Sequence, residues 1–446
     1  MLPHSLSDDD RPASRRTWAV PAARPGWSQI VVLANHAAHV VPATAAPRLR
    51  FVPLDDEVRE PDDRFARDGL WPLCHDVGLT PAFRTADFTA YRDANRQAAT
   101  AVLADIHAPA LLVVQDHRLA LVPHYLRALG SDHALVTFWP LPWPRPRPLS
   151  RCPWAPELLR SLLASHIVGF QTHEDRANFL TTIEALDGTV VDALQGRVAF
   201  GDHHTAVRVY PAGVEPPTDG ASRHPVGACR ALVRRQLGLD EDTRLIVGVD
   251  RLDDTQGLDD KVCAVERLLA TRPGAHARVV FLQIATPRPE PTEHDRAAAD
   301  RLRVTVTRVN ARGNGAEHPA IVLREALPDG VDLPTLARAA DVWYVGSLHD
   351  GMHLGAKAFV AARDDERGVL VLSEGAGAAR QLRAALIIDP RRTDQAAQAL
   401  ERALAMSAGE QATRMRVLRA NVASFDAAWW GRQIVNDVRL ERPGPG

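Results

Sequence analysis

Short β-rich apolar runs alternate with helical patterns along almost the whole chain of 446 residues, and the alternation starts afresh near its middle. In the first half "IVVLAN" (30–35), "ALLVVQ" (110–115), "ALVTFW" (134–139), "HIVGF" (166–170) and "VRVYPAGV" (207–214) read as strands. Between them, residues 91–105 and 156–165 carry helical spacing, and "EDRANFLTTIEAL" (174–186) opens with acids in its first turn. The second half restarts with "RLIVGV" (244–249), followed by a helix with Leu258, Val262, Val265 and Leu269 on one face. "ARVVFLQIA" (277–285), "AIVLRE" (320–325), "DVWYVGS" (341–347), "GVLVLS" (368–373) and "ALIID" (385–389) follow. Strands alternating with helices predict parallel sheets with crossover helices. Two such blocks predict an α/β protein of two Rossmann-like domains facing across a cleft, with ligands at the C-terminal ends of the strands.

The boundaries follow from composition. Residues 1–26, rich in Pro, Arg, Asp and Ser and lacking an apolar core, read as a disordered tail rather than a signal peptide. Residues 27–220 form the N-terminal domain and 221–425 the C-terminal one, with a Pro-, Gly- and Ser-containing linker at 215–228. Residues 426–446 are expected to return as a helix to the N-terminal domain. Apolar residues make up 46% and charged residues 24%, the balance of a soluble globular protein. A net charge of −2 offers no global field for nucleic acid or an acidic membrane. No apolar run reaches the roughly 18 residues of a membrane span. Cys74, Cys152, Cys229 and Cys263 lie far apart and read as reduced thiols of a cytoplasmic protein. Of the 53 Lys and Arg residues only Lys261 and Lys357 are lysines.

Four strand ends carry loaded sequence. In "VVQDHRL", Asp116 follows an apolar strand, where its carboxylate either faces a cleft or makes an Asx turn. In "VGVDRLDDTQGL", Arg251 follows a buried strand and Gly257 opens a helix; Arg251 either meets an anion shared with that helix end or lies on the surface. In "GSLHDGMHLGAK", Gly346, Gly351 and Gly355 let backbone N–H groups approach a ligand at a helix start. "SEGAGAAR" is another small-residue turn that lets a ligand or a helix come close. Together they point to a phosphate-bearing ligand. His349 and His353 are four apart, but Gly351 lies between them and no third ligand is evident, so no metal is expected. His203 and His204 read as surface residues of a polar loop, Lys357 as an exposed helix lysine, and Trp139, Trp143 and Trp154 as packing around a proline loop. That loop, "FWPLPWPRPRP" (138–148), places proline at every second position and reads as neither helix nor central strand.

"GVDRLDDTQGL", "FLQIA", "TRVN", "ADVWYVGSLHDGMHLGAKAFVAA", "GVLVLSEGAGAA" and "ALIIDP" resemble the second domain of trehalose-6-phosphate synthases. "LWPLCH", "YRDAN", "QDHRLALVPHYLR", "IVGFQTHEDRANFL" and "VYPAGVEP" resemble the first, so the likeness covers roughly residues 60–430. The resemblance implies a GT-B fold and a retaining glycosyltransferase that joins glucose from UDP- or GDP-glucose to a sugar phosphate. It implies no cofactor, no metal and no covalent enzyme intermediate. By the same resemblance Arg251 binds the donor diphosphate, and Asp350 with Gly351, Met352 and His353 grips the donor sugar. Leu354 contacts the nucleotide, and Trp71, Asp116 and Arg288 serve the acceptor. Several family positions are substituted. The family's diphosphate lysine is Gln256, its ribose glutamate is Ala358, and its donor-sugar histidine is Pro140. A tyrosine on the acceptor phosphate falls near Asp62. After Asn35 the family's arginine is His36, and "HAAHVVPATAAP" lacks the family's glycine pair. These changes lead us to expect altered or reduced activity. The alternatives are a pseudo-glycosyltransferase coupling cyclitols, or a non-catalytic partner of an active synthase.

Overall fold

The computed structural model describes residues 32–34, 49–51, 54–106, 109–215, 224–271, 279–288, 291–312 and 319–441. His36 and the segment after it lie outside the described residues, as does the tail assigned to 1–26. The described residues divide into two compact units: one runs from Gly213 to Asp426, and the other joins the described residues up to Ala212 to those from Ala427 onward.

In the first unit, β1 (Val32–Ala34) and β2 (Leu49–Phe51) pair in parallel. Then come β3 (Leu111–Gln115), β4 (Ala134–Trp139), β5 (Ile167–Phe170), β6 (Thr189–Asp192), β7 (Arg197–Phe200) and β8 (His203–Val209). These six form one sheet in the order β3-β4-β5-β8-β7-β6. The first four strands in that order run parallel; β6, β7 and β8 form an antiparallel meander. Every residue of β4 and β5 is buried, as covered parallel strands require, which is why both stand out as almost wholly apolar runs. His203 and His204 therefore sit in a strand, not a polar loop, and His203 Nε2 is 2.9 Å from the Ser165 carbonyl oxygen.

The proline stretch also departs from expectation at one end. Pro146–Leu149 makes a single helical turn, because prolines in a first turn remove only N–H groups that have no partner there. Trp139 and Trp143 are buried edge to face at 5.0 Å, and Trp154 stacks on Phe88 at 4.3 Å, so all three pack. The last helix, Ala427–Glu441, lies on this unit. Tyr210 Oη donates to Asp437 at 2.7 Å, Arg197 and Arg208 each meet Glu441 at 2.7 Å, and Trp430 sets its edge to Phe138.

The second unit holds β9 (Arg244–Arg251), β10 (Val279–Thr286), β11 (Ile321–Arg324), β12 (Val342–Val345), β13 (Val369–Ser373) and β14 (Leu386–Ile388). All pair in parallel in the order β11-β10-β9-β12-β13-β14. The chain winds outward from β9 to one edge, then returns beside it at β12 and winds to the other. The β9/β12 boundary is thus the switch point, where an open parallel sheet leaves a crevice at its C-terminal ends. Leu258, Val262, Val265 and Leu269 are buried on one face of the helix Leu258–Thr271. A helix already covers Val226–Leu237, so the predicted linker ends before residue 226. All four cysteines are free thiols, and no described helix is long and apolar enough to cross a membrane.

Candidate active site

In the second unit the site is built on three neighbouring strand ends. Arg251 is the last residue of β9; the loop after β12 runs from Gly346 to His353 and opens the helix Leu354–Ala362. The turn after β13 carries Gly375 and Gly377. These loops are knitted together. Asp350 N–H donates to the Gly375 carbonyl (3.0 Å), Gly377 N–H to the Asp350 carbonyl (2.9 Å), and Ala378 N–H to the Met352 carbonyl (2.9 Å). A Cβ on Gly375 would overlap the Leu348 carbonyl, and one on Gly377 the Gly351 carbonyl. The small residues of "SEGAGAA" thus serve the approach of two loops to each other.

Asp350 folds its own loop. Its Oδ1 accepts from the N–H groups of Met352 (2.9 Å) and His353 (2.7 Å). Those two amides are engaged by the carboxylate. His353, at φ 64°, caps the helix: Nδ1 accepts from Ala356 N–H at 3.2 Å. Arg251 donates from Nε to Asp253 at 3.0 Å. Burial works against its charge, but the Asp253 and Asp350 carboxylates more than offset it and raise its pKa. Arg251 and the Asp350–Leu354 loop therefore share one electrostatic neighbourhood at the switch point.

Gln256 is buried. Its Oε1 accepts from Ser347 Oγ (2.9 Å) and its Nε2 donates to Thr255 Oγ1 (3.0 Å), so its amide ties two loops of the site. Arg288 is half-buried two residues beyond β10, whose end residue Thr286 pairs with Arg251. Ala358 is half-buried in the helix Leu354–Ala362. Lys357, read from the sequence as exposed, is fully buried, and burial lowers its pKa to about 7. The signal was there: "LGAKAFVAA" is apolar around its whole circumference, and such a helix has no solvent face.

In the first unit Asp116 follows β3 at φ 97°, a backbone conformation that costs a side-chain-bearing residue of order 1–3 kcal/mol. Strain of this kind persists only where surrounding bonds hold it, and here they are evident. Tyr91 Oη donates to the His117 carbonyl at 2.5 Å and accepts from Ala120 N–H at 3.0 Å. Asn95 Oδ1 accepts from Leu121 and Val122, and its Nδ2 donates to the Arg118 carbonyl. Both residues come from "YRDAN", a motif noted for its resemblance but given no role in sequence. Asp116 makes the Asx turn: its Oδ1 accepts from Arg118 N–H at 3.0 Å and lies 2.7 Å from His117 Nδ1. Burial alone would raise the Asp116 pKa, but His117 and Arg118 outweigh it and bring it down to about 2. Trp71 follows the π-helical stretch Phe65–Leu70. Its ring lies against that of His75, with centroids 4.0 Å apart, and the His117 ring is 6.2 Å away. Trp71 and Asp116 thus meet through His117.

Asp62 lies beside this cluster. It is 2% exposed and its Oδ1 has no hydrogen-bond partner. Burial is the main cause that pushes its pKa from 3.8 up to about 8; Arg118 opposes, and Asp63 adds to it. The folded state holds this proton across a window in which the unfolded chain has released it. Its contribution to stability is therefore present below about pH 4 and is lost as pH rises toward 8, at up to about 1.4 kcal/mol per pH unit. Asp62→Asn is expected to remove that decline, gaining at least about 1 kcal/mol at pH 8 relative to pH 5 in urea titrations. An unchanged slope would count against it.

Comparisons with known proteins agree with this architecture. A model described as glycosyltransferase family 20 matches residues 19–440. A trehalose-6-phosphate synthase of Mycolicibacterium vanbaalenii is 33% identical over 401 residues, 88% of this chain and 81% of the relative. Among solved structures, a trehalose-phosphate synthase of Burkholderia xenovorans in complex with glucose-6-phosphate has a TM-score of 0.82 at 29% identity, over 93% of this chain and 91% of that one. An E. coli structure bound with UDP-2-fluoro glucose has a TM-score of 0.84 at 25% identity, over 94% and 100%.

Proposed function

Because the chain belongs to glycosyltransferase family 20, with two parallel-sheet α/β units of the GT-B class, we propose that it transfers a glucosyl group, with retention, from a nucleotide sugar to a sugar-phosphate acceptor. The donor is of the UDP- or GDP-glucose type and the acceptor of the glucose 6-phosphate type. The observation that carries this reading is the placement of Arg251, at the end of β9, and the Asp350–Leu354 loop, after β12, on adjacent strand ends at the switch point, with the Asp350 carboxylate close enough to act on the Arg251 charge. In the reaction the bond from glucose C1 to the diphosphate oxygen breaks, and an acceptor hydroxyl oxygen bonds to C1 on the same face. The hydroxyl proton passes to the departing diphosphate. Arg251 stabilises the charge growing on that diphosphate, with the N-terminus of the helix Leu354–Ala362 adding its dipole. Asp350 holds the loop that orients the donor sugar, while Asp116 and Trp71 place the acceptor.

Gln256 supplies no charge where the family's lysine would. Losing one preorganised charged group costs roughly 10²–10³ in rate, so turnover is expected to be slow. The test is release of UDP or GDP from the glucosylated nucleotide in the presence of glucose 6-phosphate, with the product's anomeric configuration read by NMR. Neither turnover nor binding across UDP-, GDP- and ADP-glucose would overturn the proposal.

A further inference from the structure

Behind the donor loop of the second unit lies a polar group that the roles above do not use. The side chain of Lys261, from the helix Leu258–Thr271, passes Gly346 and reaches a point beside Gly248. A Cβ on either glycine would overlap the lysine. Its Nζ donates to Asp250 Oδ2 at 2.5 Å, and Gln283 Nε2 donates to the same oxygen at 2.8 Å. Asp250 and Lys261 are fully enclosed, and Gln283 is 1% exposed. The other carboxylate oxygen, Oδ1, is buried and makes no hydrogen bond; His353 Nε2 lies 3.5 Å from it. A buried carboxylate oxygen needs a donor, and His353 Nε2–H stands at the outer limit of hydrogen-bond reach, where a small ring rotation makes it one.

The imidazole is held at both ends. Nδ1 accepts from Ala356 N–H, so the ring proton belongs on Nε2, toward Asp250. Gly355 leaves room for the ring; a Cβ there would come within 3.3 Å of its Cε1. Burial alone would raise the Asp250 pKa, but Lys261 and His353 bring it down to about 2. The carboxylate is thus ionised throughout the neutral range.

We propose that Asp250 is a positioning residue for donor binding: it locks His353 in the Nε2–H tautomer, which keeps Nδ1 as the helix cap and fixes the Asp350–Leu354 loop. The functional half of this inference rests on the donor reading of that loop. The tautomer half stands on geometry alone.

Asp250→Asn is a sharp test because it preserves shape. Lys261 and Gln283 both present donors, so the carbonyl of the introduced amide must face them. The amide NH₂ then faces His353 Nε2. The ring proton is driven to Nδ1, where it opposes Ala356 N–H and the cap is lost. Imidazole 15N shifts are expected to show His353 as Nε2–H in the wild-type protein at pH 7 and as Nδ1–H in Asp250→Asn. The dissociation constant for UDP-glucose is expected to rise about tenfold, the scale of one lost oriented hydrogen bond. In a His353→Asn background, where asparagine tolerates the left-handed backbone and caps without a tautomer, the same change should cost less than about twofold. An Nδ1–H ring in the wild-type protein, or purely additive effects of the two substitutions, would overturn the proposal. If Asp250→Asn does not fold, the wild-type tautomer decides. If the wild-type protein binds no UDP-glucose, the donor reading fails; the tautomer and the same two-residue cycle in melting temperature still decide the positioning claim.

Discussion

Replacing Lys261 with alanine is expected to lower the free energy of unfolding by roughly 3–5 kcal/mol, the cost of leaving one partner of a buried ion pair uncompensated. Lys261 and Asp250 are both sealed from solvent, and Gln283 offers Asp250 only a neutral donor. The Lys261 ammonium also lies 5.7 Å from the Phe281 ring centroid and 5.2 Å from that of Tyr344, so its removal opens space between two aromatic faces. The pair need not be more stable than an apolar substitute. Lys261→Met combined with Asp250→Leu is expected to recover most of the loss, because it removes both desolvated charges at similar volume. Urea unfolding of the three proteins measures this. A loss below about 1 kcal/mol in Lys261→Ala would mean that the pair carries little of its charge in the folded state.

If Arg251 binds the donor diphosphate as proposed, Arg251→Ala is expected to reduce kcat/KM by about 10²–10³ and to weaken UDP binding with it, since such a guanidinium acts in both the bound and the transition state. The effect should appear without loss of fold: the Arg251 side chain is 37% exposed, and Asp253, to which it donates, also accepts from Thr255 N–H. Asp116→Ala is expected to spare UDP binding, because Asp116 belongs to the other unit and is proposed to serve the acceptor. Calorimetric titration with UDP separates the two. Equal weakening by both substitutions would contradict the division into donor and acceptor residues.

Much of the fold could be read in advance for a simple reason. Parallel strands covered on both faces read as near-continuous apolar runs, so "ALVTFW" announces β4; its one polar residue, Thr137, meets Ser165 Oγ. The strands β6 and β7 escaped notice because each has only four residues, with no fully buried position in β6 and one in β7, too few for an apolar run or a period to show. The candidate site was legible to a lesser degree. Arg251, Asp350 and Asp116 stand at strand ends, and the topology of alternating strands and helices puts strand ends where ligands bind. Tyr91 and Asn95 carried no such mark. Their importance lies in bonds to residues 26 or so positions away, and no local pattern encodes a partner at that distance.

The linear order of residues thus settled which elements form, in what succession, and which loops emerge at the functional ends. Tertiary structure alone decided what each polar group meets. It enclosed both lysines of an arginine-rich chain, turned the amides of Met352 and His353 onto Asp350, and set the glycines of the β13 turn against a neighbouring loop. Burial and pairing are properties of neighbours in space. Asp250 meets Lys261, Gln283 and His353 from three other elements, and their joint environment exists only once the sheet has closed over them.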